Sequence, residues 1–167
     1  LLLFAVPLQA RVLTIGAGGY SSLEAAARDA VPGDTIRFSA GVHAGGSYVS
    51  DLRGTPEQWI LITGPAQGEA RIAGGGSAMQ LTDPAYLRIE RLIFEGQTGN
   101  GVNIDDGGSY ESPAQHIVIE QCTFRDMNAT GNNDLLKMSG VDDFEIRNCT
   151  FLNGSAGGSM IDMVGCQ

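Results

Sequence analysis

The most constraining feature of this sequence is a six-residue pattern that recurs without gaps, because a repeat dictates how the whole chain folds. It reads apolar, polar, turn residue, apolar, polar, aromatic, and its copies begin 30 and 27 residues apart. Two short strands that meet at a one-residue bend produce this order of residues. The copies are Ile89–Phe94, Ile119–Phe124 and Ile146–Phe151.

The bend residue of each copy must adopt a left-handed backbone conformation. Asn148 suits that position, because Asn tolerates this conformation better than most residues. Arg91 and Gln121 occupy the same position in the other two copies and fit it less well. We therefore expect the bend to be best formed in the third copy.

A second set of triplets has the pattern apolar, polar, apolar and adds a third strand to each repeat. Loops of different length separate these triplets from the six-residue pattern, and the longest loop carries the turn residues of 105–114. Stacked coils of three short strands tolerate such variation, which predicts an all-β, right-handed parallel β-helix. The triplets are Met79–Leu81, Val102–Ile104, Leu136–Met138 and Ile161–Met163.

Like residues should stack on like residues inside such a helix, because neighbouring strands lie about 4.8 Å apart. Phe94, Phe124 and Phe151 then form one inward column. Cys122 and Cys149 fall in another and are interpreted as buried apolar fillers, although a disulfide between them is a geometric alternative. The three cysteines contain no CxxC pair, which argues against a zinc site.

The N-terminal part predicts a cap for the first coil. Residues 21–31 have the composition of an amphipathic helix with Ser22 as its N-cap. Strands are predicted at 34–38, 59–63 and 70–72. A helix over the end of a solenoid shields apolar side chains and unpaired backbone groups from water.

The first ten residues form an apolar run that ends in a small residue, Ala10, and are interpreted as the remnant of a signal peptide. Residues 11–167 would then form the N-terminal part of a longer β-helix domain. No other stretch is long enough to span a membrane. We therefore expect a protein that is secreted, periplasmic or at the cell surface, and monomeric at full length.

The net charge of −9, with ten Lys and Arg, argues against nucleic acid and anionic membranes as partners. An acidic polysaccharide would need a bridging divalent cation or a local basic cluster. The two histidines, His43 and His116, have no serine or carboxylate partner in sequence, so no nucleophilic triad is predicted. His43 is interpreted as a packing or surface residue and His116 as a residue at the edge of a groove.

Several segments resemble the pectate-lyase-like superfamily, especially its polysaccharide-lyase and uronan-epimerase-like branch. They are Ser21–His43, Thr55–Pro65 and the repeats ending in Phe124 and Phe151, and the resemblance covers residues 11–167. It implies an exported carbohydrate-active enzyme that cleaves an acidic polysaccharide such as alginate or pectate by β-elimination. In relatives the catalytic Lys and Arg tend to lie on later coils, so catalytic residues beyond Gln167 are one expectation.

The resemblance also implies that sugar lies along the strands whose outward residues are Gln80, Asn103, Lys137 and Asp162. We predict these four as substrate-binding residues, with Lys137 as the catalytic base or the group that neutralises a uronate carboxylate. Asp105 and Asp162 are predicted ligands for Ca²⁺. A face that is polar only because it contacts water would show a similar composition.

Two other functions fit the same pattern. A non-catalytic surface protein that binds glycan or acts as a rigid spacer needs no paired basic or acidic residues. A glycoside hydrolase of this fold needs two or three carboxylates that converge on one point of the groove. Asp105 and Asp162 lie two coils apart, about 10 Å, and do not meet that requirement by themselves.

Overall fold

The computed structural model describes residues 10–109 and 111–167. The predicted signal-peptide remnant therefore lies outside the described residues, apart from Ala10. The chain contains one helix, α1 (Leu23–Asp29), among sixteen strands in this part. The strands are β1 (Val12–Ile15), β2 (Thr35–Phe38), β3 (Gly41–Ala44), β4 (Ser47–Ser50), β5 (Ile60–Thr63), β6 (Ala70–Ala73), β7 (Met79–Thr82), β8 (Ala85–Glu90), β9 (Ile93–Glu95), β10 (Val102–Asp105), β11 (Ala114–Glu120), β12 (Thr123–Arg125), β13 (Leu136–Ser139), β14 (Val141–Arg147), β15 (Thr150–Leu152) and β16 (Ile161–Val164).

The strands form three parallel sheets that wind around one core. Sheet 1 has the order β1-β2-β5-β8-β11-β14, sheet 2 has β4-β7-β10-β13-β16, and sheet 3 has β3-β6-β9-β12-β15. Each full coil contributes one strand to each sheet, as in β7, β8 and β9. The prediction of a parallel β-helix with three short strands per coil is confirmed.

The repeats stack in the register that the sequence predicts. Ile119 lies between Ile89 and Ile146 in sheet 1. In sheet 3, Phe124 lies between Phe94 and Phe151, with ring centroids 4.9 and 4.8 Å apart. Aligned columns of apolar side chains therefore build the core, as expected for stacked coils.

The one-residue bend is equally well formed in all three copies of the repeat. Arg91, Gln121 and Asn148 each have a backbone φ of 53°. Stacking of the flanking strands therefore imposes the left-handed conformation on Arg91 and Gln121 as well as on Asn148. Such positions carry a cost of about 1 kcal/mol for residues other than Gly and Asn, which the sheet offsets.

Helix α1 caps the first coil, as the sequence predicts. Ser22 is its N-cap and accepts a hydrogen bond from the Ala25 N–H at 3.2 Å. Leu23 and Ala26 are fully buried on its inner side. None of the helical segments in the described ranges has the length and apolar character that crossing a membrane requires.

The segment after the helix is tied to the start of the chain by a buried carboxylate. Asp34 is 1% exposed and accepts hydrogen bonds from the backbone and side chain of Arg11 and from the Val31 N–H. Burial alone would raise the pKa of Asp34, but the bonds from Arg11 and Val31 outweigh it and lower the pKa. Asp34 therefore stays ionised and holds β1 against β2.

All three cysteines are free, so no disulfide joins Cys122 to Cys149, and the interpretation as a buried filler is confirmed for Cys122. Cys122 is buried, and Cys149 is half-buried on the next coil. A hydrogen bond from Cys122 lowers the pKa of Cys149 to about 7. The same contact and the burial of the thiol raise the pKa of Cys122.

We expect iodoacetamide to modify Cys149 with a rate that is half-maximal near pH 7 and rises above it, because the thiolate is the reactive form. Cys122 should stay unmodified in the folded chain. Peptide mapping by mass spectrometry at a series of pH values measures both rates. A rate for Cys149 that equals that of Cys122, or that rises only near the pKa of an ordinary thiol, would contradict this picture.

Candidate functional site: the outer face of sheet 2

The outer face of sheet 2 presents two columns of side chains, one residue from each strand. Column 1 joins the four predicted binding residues in adjacent register and begins one strand earlier, at Tyr48. Column 2 contains Asp105 and is otherwise formed by small or apolar residues. Column 1 is Tyr48, Gln80, Asn103, Lys137 and Asp162; column 2 is Ser50, Thr82, Asp105, Ser139 and Val164.

Amide side chains form a hydrogen-bonded ladder in the middle of this face. Asn103 Nδ2 donates to Gln80 Oε1 at 2.6 Å, and Gln80 Nε2 donates to the Asp105 carboxylate. Asp105 Oδ1 also accepts from the Gly107 N–H at 3.0 Å. The ladder fixes the side chains before any ligand arrives, which reduces the entropy lost on binding.

One acceptor of this ladder is left over. Asn103 Oδ1 is buried and has no hydrogen-bond partner among the described residues. A buried acceptor without a partner destabilises the chain by about 1–3 kcal/mol, and this one is free to accept a hydrogen bond from a ligand hydroxyl. It lies on the strand next to the one that carries Lys137.

Lys137 is held between two carboxylates. Its Nζ lies 2.5 Å from Asp162 Oδ2 and 3.8 Å from Asp134 Oδ2. The hydrogen bond to Asp162 raises the pKa of Lys137, and the charges of Asp162 and Asp134 act in the same direction. Lys137 is therefore protonated at neutral pH. In this state it can neutralise a uronate carboxylate, whereas acceptance of a proton would first require loss of its own.

Asp134, the second carboxylate beside Lys137, lies two residues before β13. It is 2% exposed, and its Oδ1 accepts from the Ser159 N–H at 2.8 Å. Its own N–H donates to Asn100 Oδ1 at 2.8 Å. Asp134 thus ties three coils together and at the same time supplies a fixed negative charge beneath Lys137.

Asp105 and Asp162 do not fit a shared Ca²⁺ site. They lie in different columns and two strands apart, about 10 Å, whereas Ca²⁺ binds oxygens at about 2.3–2.6 Å. Each carboxylate is also engaged, by Gln80 and Lys137 respectively. The described residues contain no group of three or more metal-ligating side chains. The Ca²⁺ site stays a prediction that requires further ligands, such as substrate carboxylates.

The two histidines lie away from this face. His43 Nε2 donates to the Ser39 carbonyl at 2.8 Å and packs edge-on against Phe38, as expected of a packing residue. The prediction of His116 at the groove edge is wrong. His116 lies in sheet 1 at a second left-handed bend, with a φ of 56°, and stacks on Tyr86 at 4.4 Å.

The fold and column 1 together define a class: a parallel β-helix with a hydrogen-bonded polar face on one sheet. The chain is similar in structure to an alginate lyase from Paenibacillus sp. str. FPU-7, with a TM-score of 0.61 and 20% identity. It is also similar to the pectate lyase Pel9A, with a TM-score of 0.54 and 14% identity.

These two similarities cover 93% and 96% of this chain, so the shared parallel β-helix fold extends over nearly all of it. The chain spans 64% of the alginate lyase and 48% of the pectate lyase. No known family's sequence profile and no curated protein matches the sequence. The resemblance is therefore one of fold, and the residues of the sheet 2 face must support any function.

Proposed function

We propose that this protein is an exported, carbohydrate-active β-helix that binds an acidic polysaccharide along the outer face of sheet 2 and cleaves it by β-elimination. The observation that supports this most is column 1, where a hydrogen-bonded amide ladder leads directly to a protonated lysine. Two solved structures of this fold that act on alginate and pectate, by their names, favour a uronate polymer.

In β-elimination a base removes the C5 proton of a uronate, and a C4–C5 double bond forms as the C4–O bond breaks. The leaving oxygen keeps the electron pair of that bond and takes a proton from an acid or from water. The uronate carboxylate gains negative charge in the transition state and needs a positive group nearby. Lys137 supplies that charge in this proposal, because the pKa raised by Asp162 keeps it protonated. The proton acceptor is then a group outside column 1.

Export is part of the same proposal. A polymeric uronate is a substrate that a protein meets outside the cytoplasm, and the apolar run before Arg11 has the composition of the end of a signal peptide. We place the protein in the secreted, periplasmic or surface-bound fraction. Ca²⁺ is a candidate cofactor that would bridge a substrate carboxylate and an aspartate of the groove.

The test is the ultraviolet absorbance of the C4–C5 double bond. The full-length protein is incubated with alginate, polygalacturonate and chondroitin sulfate, with and without Ca²⁺, and with a neutral glucan as control. We expect absorbance to rise with one uronan and to stay flat with the neutral polymer. If no uronan gives a rise in any condition, the lyase proposal is wrong.

A second candidate function is non-catalytic binding of glycan. The observation that favours it is the engagement of Lys137 by Asp162 and Asp134, which leaves no uncompensated positive charge in column 1. Calorimetric titration with the same polymers distinguishes the two functions. Binding of a uronan without any rise in absorbance would favour the binding module over the lyase.

A further inference from the structure

Nearly every cation of this chain already has a carboxylate partner. Of the ten Lys and Arg side chains, eight lie within 4.0 Å of an Asp or Glu oxygen. Arg28 and Arg37 are the two that form no ion pair within the described ranges. In a protein of net charge −9, such an arginine is the natural contact for an anionic ligand.

Arg28 lines a groove between the capping helix and the first strand of sheet 2. This cap groove has a volume of about 360 Å³. Its far wall is Tyr48, the first member of column 1, so the groove is continuous with the proposed polysaccharide face. The cap groove is lined by Glu24, Ala27 and Arg28 of α1 and by Tyr48, Val49 and Ser50 of β4.

Tyr48 offers an exposed aromatic ring at this point. The side chain is 58% exposed although it belongs to a strand. Hydrogen bonding with the hydroxyls of Ser50 and Thr82 lowers the pKa of Tyr48. An exposed ring at this position can pack against the apolar face of a sugar.

Glu24 is the negative group in the cap groove, and it is already engaged. Its Oε1 accepts from the Tyr48 N–H at 3.0 Å. Partial burial raises the pKa of Glu24, but hydrogen bonds that include those from its own backbone, Ser22 and Tyr48 lower it overall. Glu24 thus fixes β4 against α1 as an anion, and an incoming carboxylate would be directed away from it to Arg28, one turn further along the same helix.

We propose that the cap groove is a uronate-binding subsite, in which the Arg28 guanidinium binds the sugar carboxylate and the Tyr48 ring packs against the sugar ring. This rests on the proposed function, because the ligand is the same acidic polysaccharide. From Tyr48 to Lys137 there are three strand spacings, about 14 Å, so one oligosaccharide of several residues reaches both.

The experiment measures the affinity of the full chain for oligogalacturonate and oligoalginate hexamers by isothermal titration calorimetry at low salt. Arg28→Gln and Tyr48→Ala should each weaken binding about tenfold, and Tyr48→Phe should bind like the wild type. Arg37→Gln is the matched control, because Arg37 is also exposed and unpaired in the described structure but lies on sheet 1. The loss of affinity in Arg28→Gln should become smaller as the salt concentration is raised, because salt screens the attraction between Arg28 and the sugar carboxylate.

Three outcomes would overturn the subsite. If Arg28→Gln and Tyr48→Ala bind the hexamers like the wild type while Lys137→Ala loses affinity, the subsite is absent and the proposed function stands. If Arg37→Gln loses as much affinity for the hexamers as Arg28→Gln, the weaker binding reflects the overall charge of the protein and not a subsite. If the wild type binds no uronan at all, the proposed function and the subsite both fail.

Discussion

Replacement of Phe124 with Ala is expected to lower the free energy of unfolding by about 3–5 kcal/mol, the range for truncation of a buried phenylalanine. Phe124 is fully buried, and its ring packs between Phe94 and Phe151 with centroids 4.9 and 4.8 Å away. The substitution leaves a cavity between two coils and removes both aromatic contacts. Chemical denaturation monitored by circular dichroism measures the loss.

Phe151→Ala is the matched control for this prediction. Phe151 occupies the same column but is only half-buried and contacts one aromatic ring. We expect its truncation to lower the free energy of unfolding by about 1–2 kcal/mol, because less apolar surface leaves the core. Equal losses at the two positions would show that the phenylalanine column does not stabilise the coils in the way described here.

Replacement of Lys137 with Ala is expected to reduce the rate of β-elimination by about 100-fold or more, the usual effect of removing one charged group that stabilises a transition state. Lys137→Arg should retain activity within about tenfold, because Arg keeps the positive charge at column 1. Both rates are measured from the absorbance of the unsaturated product. Activity that survives in Lys137→Ala would place the chemistry on other residues.

The dependence on pH separates the two roles that Lys137 could play. Asp162 raises the pKa of Lys137, so the positive charge is complete below the ordinary lysine pKa and is lost only above the raised value. A neutralising lysine therefore gives activity that stays level through neutral pH and falls in strong alkali. A lysine base would show the opposite slope, with activity rising as the proton is lost.

Arg125→Ala is the control for the loss of a cation. Arg125 lies on sheet 3 and is paired with Glu95 at 2.8 Å, as Lys137 is paired with Asp162. Its removal should leave the rate of elimination unchanged. A comparable loss of activity in Arg125→Ala would mean that Lys137→Ala acts through folding or overall charge, and the role given to Lys137 would be contradicted.

The sequence predicts the coil architecture well, because a column of stacked residues leaves a repeat that can be aligned by eye. Ile89, Ile119 and Ile146 meet in the predicted register, and so do the triplets around Gln80, Asn103 and Lys137. The early strands β1, β3 and β4 were not predicted. They are short, β3 begins with a glycine and β4 follows one, so neither alternation nor repetition marks them.

The site is less predictable than the fold. Column 1 follows from the alignment, but its first member, Tyr48, was missed because its strand has no repeat signature. The cap groove forms where α1 packs beside β4. The two elements are separated in sequence by β2 and β3, and no local pattern predicts that they meet. His116 was misplaced because a left-handed bend inside β11, rather than at its end, turns the side chain outward on sheet 1.

The most direct test of the proposed binding face is to map where a uronan hexamer contacts the folded chain, by amide chemical-shift perturbation in a titration. The account predicts shifts that follow column 1 from Tyr48 to Asp162, together with Arg28, and that leave the outer faces of sheets 1 and 3 unchanged. Shifts that concentrate on sheet 1 or sheet 3, or no shifts at saturating hexamer, would contradict it.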